Sequence, residues 1–295
     1  MDYRNAVEIH GLCKKQGDFA LKDVDIVLPK GCVMGYIGQN GAGKTTTIKA
    51  MLNRIEIDSG SIKIFGMDYI KNECEIKEEI GVVYDELMFH DKLKVKQIGT
   101  ILKHIYKKWN QPLYEEYLSR FKLQGNKKVK ELSRGMRMKL QIATALSHDA
   151  KLLIMDEPTG GLDPIVRNEI LDIFMDFMQD ESHSILLSSH ITTDLERIAD
   201  YLTFIDDGEV MLSGEKFDIL ENHGIIKCGK DRGGFIDNED IIFSRESVFG
   251  KEIMVKNKSK YGKVDSGTVM EDAGLEDIMM FYVERRRKGS AGTCI

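Results

Sequence analysis

Apolar and polar positions alternate with period two at 7–12 (VEIHGL) and 24–28 (VDIVL), which predicts two half-buried strands near the start of the chain. The apolar run CVMGYIG then leads straight into a glycine-rich turn. Beyond it, Ile48, Met51, Leu52 and Ile55 fall at i, i+3, i+4 and i+7, the spacing of one helix face. GSIKIFG and IGVVY predict two further strands. From about 93 to 148 the period becomes helical. Ile98, Ile101, Leu102, Ile105 and Trp109 predict one helix stripe. Leu113, Tyr117, Leu118 and Phe121 predict a second. A third helix starts at Ser133, a residue type suited to capping, and runs through MKLQIATAL.

Strand and helix then alternate again. KLLIMDEP is a short apolar strand ending in two carboxylates, EILDIFMDFM an amphipathic helix, and SILLSSH a buried strand. YLTFIDDGEVMLSG predicts a hairpin turning at Asp206-Asp207-Gly208. Beyond about 223 the chain reads as charged strands followed by a helix carrying Leu275, Ile278, Met279, Tyr282 and Val283. The tail RRRKGSAGTCI is expected to fray.

Composition narrows the class. The 295 residues are 42% hydrophobic and 31% charged, a globular balance. A net charge of -6 argues against nucleic acid as a partner. Five scattered cysteines (13, 32, 74, 228 and 294) form no C-x-x-C pair, so neither a zinc site nor a disulfide framework is expected, and a reducing cytoplasm fits. The opening MDYRNAVEIHG has no apolar h-region, so no signal peptide is expected. No apolar run nears the roughly 18 residues of a membrane helix. Work at a membrane would therefore need spans from another chain.

The turn GQNGAGKTT, Gly38, Gln39, Asn40, Gly41, Ala42, Gly43, Lys44, Thr45 and Thr46, fits G-x-x-x-x-G-K-[ST] between a strand and a helix. Its glycines let backbone N–H groups close on phosphate oxygens, and the helix start adds partial positive charge. Lys44 would reach the β- and γ-phosphates, and the Thr45 hydroxyl would bind Mg²⁺. Asp156 and Glu157 end an apolar strand, the edge where parallel sheets gather ligands. Asp156 would hold Mg²⁺ and Glu157 would polarise an attacking water. His190 ends another buried strand, a place where a histidine serves either packing or a γ-phosphate contact. Ser133 and Gly135 open a helix whose bare N–H groups form a second anion site. A spare anion site in a chain with one P-loop suggests sharing between two subunits.

These elements, in this order, resemble the nucleotide-binding subunit of an ABC transporter over about residues 5–223. GQNGAGKTT resembles the Walker A motif, LLIMDEP Walker B, LSRGM the signature, TGGLD with Asp163 the D-loop, and His190 the switch histidine. The resemblance implies an α/β fold: a P-loop NTPase core with an N-terminal antiparallel β-subdomain and an inserted helical subdomain at about 86–148. A small α+β extension follows at 224–295, so the expected domains are 1–223 and 224–295. It also implies ATP sandwiched between two subunits, with Ser133, Arg134, Gly135 and Met136 facing the partner subunit's nucleotide. Glu157 and His190 would be the catalytic pair.

Three positions depart from the family's common pattern. The signature reads LSRGM instead of LSGGQ, so Arg134 and Met136 differ. Asp85 stands near the Q-loop glutamine. Gln16 stands near the adenine-stacking aromatic, for which Phe19 is the nearest substitute. VVYDE, SRGM and ITTDLERIADYLTFIDDG resemble a bacterial exporter branch that handles antimicrobial peptides, drugs or toxins through a separately encoded permease. The chain is thus expected at the cytoplasmic face of a membrane. The alternatives are a soluble ABC ATPase acting on nucleic acid or ribosomes, and a non-hydrolysing regulatory subunit.

Overall fold

The strands β1 (Asn5–Gln16), β2 (Phe19–Pro29) and β3 (Val33–Ile37) lead into α1 (Lys44–Met51) in the computed structural model, which describes residues 3–86, 88–231, 233–248, 250–261 and 267–291. There follow β4 (Ser59–Ile64), β5 (Met67–Asp68), α2 (Glu73–Glu79) and β6 (Ile80–Val83). The helical stretch supplies α3 (Val95–Leu102), α4 (Gln111–Arg120) and α5 (Arg134–Leu146). Then come β7 (Leu152–Asp156), α6 (Pro164–Phe177), β8 (Ser184–Ser189), α7 (Thr192–Ile198), β9 (Tyr201–Asp206) and β10 (Glu209–Glu215).

An antiparallel sheet runs in the order β2-β1-β4-β5. A second sheet runs β10-β9-β3-β8-β7-β6, with β9, β3, β8, β7 and β6 parallel. Every residue of β3, β7 and β8 is buried, as the apolar runs at these positions require in a parallel sheet covered on both faces. The β9–β10 turn has Asp207 at φ 43° and Gly208 at φ 77°, the left-handed pair a two-residue hairpin favours.

The helical stretch corrects two expectations. The stripe drawn to Trp109 ends as a helix at Leu102, and Ile101 and Ile105 are exposed. Tertiary anchors redirect the chain there. Tyr106 stacks on His148 with ring centroids 3.9 Å apart, and the Lys107 N–H donates to Glu78 Oε2 at 3.0 Å. In α4, Tyr114, Leu118 and the following Phe121 are buried, while Leu113 and Tyr117 are half-buried. Tyr114 turns inward because its hydroxyl donates to Val95 O at 2.9 Å and Gly99 leaves room for its ring.

The chain divides into two compact units after Ser213. The second unit holds α8 (Lys216–Asn222), β11 (His223–Cys228), β12 (Ile241–Ser247), β13 (Gly250–Lys256), β14 (Thr268–Asp272) and α9 (Leu275–Ala291). Its sheet order is β12-β13-β11-β14. Leu275, Ile278 and Phe281 of α9 are buried, and the Phe281 ring packs edge-on to Phe243 of β12 with centroids 6.4 Å apart. The expected frayed tail is corrected as far as residue 291: Arg285, Arg286, Arg287 and Lys288 lie within α9, and 292–295 lie outside the described residues. Glu284 pairs with Arg245 at 3.4 Å, and Lys288 Nζ sits 4.9 Å from the Phe243 ring centre, so the last turns are fastened to β12. The four described cysteines form no disulfide, and Cys294 lies outside the described residues. Among the described residues no helix is long and apolar enough to cross a membrane.

Candidate functional site

The carboxyl ends of β3, β7 and β8 meet at one sheet edge, because these strands are parallel neighbours. The glycine-rich turn leaves β3 there and closes into α1. Gly41 at φ 84° and Gly43 at φ 117° adopt backbone conformations that favour glycine. A Cβ on Gly43 would stand 2.8 Å from a Leu21 methyl and 3.0 Å from the tip of the Phe19 ring, so those side-chain ends would have to shift in addition to the strain of its φ. Gln39, Asn40, Gly41 and Thr45 are exposed, Thr46 is half-buried, and Gly38, Ala42, Gly43 and Lys44 are buried. A Cβ on Gly41 would meet only open space, so the turn's outer face is accessible to an anion.

Lys44 Nζ donates to Gly38 O at 2.6 Å and Gln39 O at 3.2 Å, and lies 3.0 Å from Glu157 Oε1. Thr45 Oγ1 donates to Asp156 Oδ2 at 2.8 Å, bringing the two expected Mg²⁺ holders together. The other Asp156 oxygen accepts from Ser188 Oγ at 2.7 Å. Glu157 N–H donates to both Ser188 Oγ and Ser188 O, at 3.1 and 3.2 Å. Glu157 itself sits at φ 51°, a strained value for a residue with a side chain, and this aims its carboxylate across the edge. Its Oε2 lies 2.7 Å from His190 Nδ1. Oε1, although close to Lys44, is buried without an aligned hydrogen bond. Lys44, Thr45, Asp156, Glu157 and His190 thus form one connected group drawn from the start of α1 and the ends of β7 and β8.

The other expected residues stand elsewhere. Ser133 caps α5, its Oγ accepting from Met136 N at 3.3 Å. Gly135 and Met136 follow on the first turn and are half-buried. Arg134 Nη2 donates to Asp85 Oδ1 at 2.7 Å. Asp163 caps α6, accepting from Ile165 N and Val166 N at 3.1 and 3.0 Å. Gln16 is exposed at the end of β1, opposite Phe19, whose ring reaches Gly43. Two residues escaped the sequence reading. Ser188 joins Asp156 to Glu157, although its only signal was its place in SILLSSH. Gln141, buried in α5, accepts from Tyr84 N and donates to Tyr84 O, at 3.2 and 2.9 Å. Tyr36 donates to or accepts from Thr47 behind the turn at 3.0 Å, and burial pushes its phenol pKa up, so it stays neutral.

A glycine cradle at a helix start, a lysine, and a hydroxyl beside a carboxylate can bind a nucleotide's phosphates. A second carboxylate next to a histidine can accept a proton. Residues 21–160 match the family model for ABC transporters. The chain is 33% identical over 205 residues to the ABC transporter ATP-binding protein YtrB of Bacillus subtilis, covering 69% of this chain and 70% of YtrB. It is 35% identical over 226 residues to the lantibiotic transport ATP-binding protein SrtF of Streptococcus pyogenes, covering 73% of this chain and 93% of SrtF. A solved structure of an ATP-binding subunit of an ABC transporter superposes with a TM-score of 0.67 at 26% identity, covering 73% of this chain and 92% of that one. The P-loop NTPase fold, the Walker-type group at its sheet edge and these relatives agree, and the chain belongs to the ATP-binding subunits of ABC transporters.

Proposed function

We propose that this chain is the ATP-hydrolysing subunit of an exporter, with the cassette in residues 1–223 and an extension in 224–295. The observation that carries the reading is the single group in which Thr45 meets Asp156 and Glu157 lies between Lys44 and His190. The turn 38–46 binds the phosphates of ATP, and Lys44 contacts the β- and γ-phosphates. Thr45 and Asp156 hold Mg²⁺, which supplies charge neutralisation to the phosphates. Glu157 orients a water and takes its proton as the water oxygen bonds to the γ-phosphorus. The bond from that phosphorus to the bridging oxygen breaks, leaving ADP and phosphate. His190 orients Glu157 and contacts the γ-phosphate. Ser133, Arg134, Gly135 and Met136 face the ATP held by a second subunit, and Asp163 lies on the D-loop at the same interface.

The membrane spans come from a separately encoded permease, contacted by the helical subdomain and the Tyr84–Leu93 loop, so the chain works at the cytoplasmic face of the membrane. SrtF is named for lantibiotic transport. That name, with the exporter-like wording of the sequence, supports peptides, drugs or toxins as cargo. The same relatives weigh against a role on nucleic acid or ribosomes. Purification from membranes with mass spectrometry tests the reading. Recovery of a multispanning partner supports it; recovery of ribosomal proteins or nucleic acid instead would overturn it.

A further inference from the structure

Asp85 and Arg134, two positions at which the chain departs from the family's usual residues, are bonded to each other. Arg134 begins α5, and its guanidinium meets Asp85, 49 positions earlier in the chain, at 2.7 Å. The loop carrying Asp85 is tied to α5 a second time through Tyr84 and Gln141. Residues 134 and 141 are seven apart, two helical turns, so one face of α5 holds the loop at both points. On its other side the guanidinium lies against the turn after Glu157. A Cβ on Gly161 would stand 2.9 Å from Arg134 Nη1 and 3.2 Å from its Cζ, and one on Gly160 3.8 Å from Nη2. Gly161 has φ 66°, and Gly160 N–H donates to Glu157 O at 3.2 Å. Contacts therefore run from Asp85 through Arg134 and the glycine turn to the backbone of Glu157.

We infer that Arg134 is a positioning residue that locks the Asp85 loop, the start of α5 and the Gly160-Gly161 turn together, and so sets the orientation of Glu157. The inference rests on the proposed ATPase role of Glu157. The planar guanidinium suits both tasks, pairing through one edge while its face covers the glycine turn, which an ammonium would do less well.

The experiment uses the purified full chain and a double-mutant cycle of Arg134→Gln, Asp85→Asn and the double variant, with the swapped pair Asp85→Arg/Arg134→Asp as a fourth protein. Each single change is expected to lower kcat, and Asp85→Asn, which leaves the residues facing ATP intact, to change KM for ATP little. The two changes should couple by about 2- to 5-fold, the size expected of a half-exposed ion pair. The coupling should shrink at high ionic strength. Arg134→Lys is expected to recover part of the loss. Effects that multiply independently at low salt would overturn the inference. Amide hydrogen exchange gives a readout independent of turnover: Arg134→Gln should speed exchange at Tyr84 and Gly160, and unchanged exchange there would likewise overturn the lock. If the wild-type chain failed to hydrolyse ATP, the ATPase reading would fall while the exchange result still decided the lock.

Discussion

Glu157 Oε1 lies 3.0 Å from Lys44 Nζ, so the carboxylate proposed as base and the ammonium proposed to meet phosphate neutralise each other. Both side chains are largely buried, at 15% and 6% exposure, which makes this contact more consequential than a surface pair. A phosphate entering the turn must share Lys44 with Glu157. Glu157→Gln removes the competing charge as well as the base. The variant is expected to bind ATP more tightly, by up to about tenfold, equivalent to about 1.4 kcal/mol. Its hydrolysis rate should fall by about 10²- to 10⁴-fold. Equilibrium binding with a fluorescent ATP analogue and a phosphate-release assay measure the two effects. Near-wild-type turnover would sink the assignment of Glu157 as base.

Ser188 is fully buried and supports both residues, its hydroxyl donating to the Asp156 carboxylate and accepting from the Glu157 backbone N–H. Ser188→Ala takes the donor from Asp156 Oδ1 and leaves the Glu157 N–H with Ser188 O alone, which should cost about 1–3 kcal/mol of stability. Because Asp156 and Glu157 lose a shared support, kcat should drop together with the midpoint of urea unfolding. A stable variant with unchanged kcat would show that the Ser188 hydroxyl is not needed to place the two carboxylates.

Gly43→Ala places a Cβ 2.8 Å from Leu21 and 3.0 Å from Phe19 at a φ of 117°. The turn should open or the N-terminal sheet should shift, at a cost of about 1–3 kcal/mol from the strained backbone alone. ATP binding is expected to fall by more than tenfold. Gly41→Ala has no such neighbours and should be milder at the level of folding. Circular dichroism melts beside ATP titrations separate the two outcomes.

His148 is buried against Tyr106, with Nε2 2.9 Å from Ile80 O and Nδ1 3.2 Å from Thr144 O. Burial lowers its pKa, and the two carbonyls only partly oppose this. The folded state therefore holds the neutral ring while the unfolded chain takes up a proton below about pH 6.5. Its contribution to stability is present above that value and is lost as pH falls towards the lowered folded pKa. Unfolding free energy should decline as pH falls below about 6.5, and the part due to this ring should vanish in His148→Gln. An unchanged pH slope in the variant would assign the acid sensitivity elsewhere, with His223, also lowered by burial, the first alternative.

The strand–turn–helix around Lys44, the apolar strand ending at Asp156 and the cap at Ser133 were legible because each depends on residues adjacent in sequence. A buried parallel strand must be apolar throughout, and a tight phosphate turn must carry glycine. Less was legible in the helical stretch. The stripe to Trp109 satisfied a period of 3.6, yet Tyr106 and Lys107 are held by His148 and Glu78, and those contacts outweigh local propensity. The tail from Arg285 read as frayed because its charges suggested solvent, whereas Glu284 and Lys288 find partners on β12.

By itself, then, the sequence determined the class of fold, the glycine-rich turn proposed to take phosphate and the identity of the residues around it, since these follow from short-range pattern and residue chemistry. Only the tertiary structure decided how they meet. Parallel pairing of β3, β8 and β7 brings Lys44, Asp156 and His190 to one edge, although over 140 positions separate the first from the last. The packing of α5 against the loop after β6 turned two apparent departures, Asp85 and Arg134, into a single ion pair. Separation along the chain places no limit on separation in space once the sheet has closed, so pairings of this kind are set by the register of strands and the faces of helices.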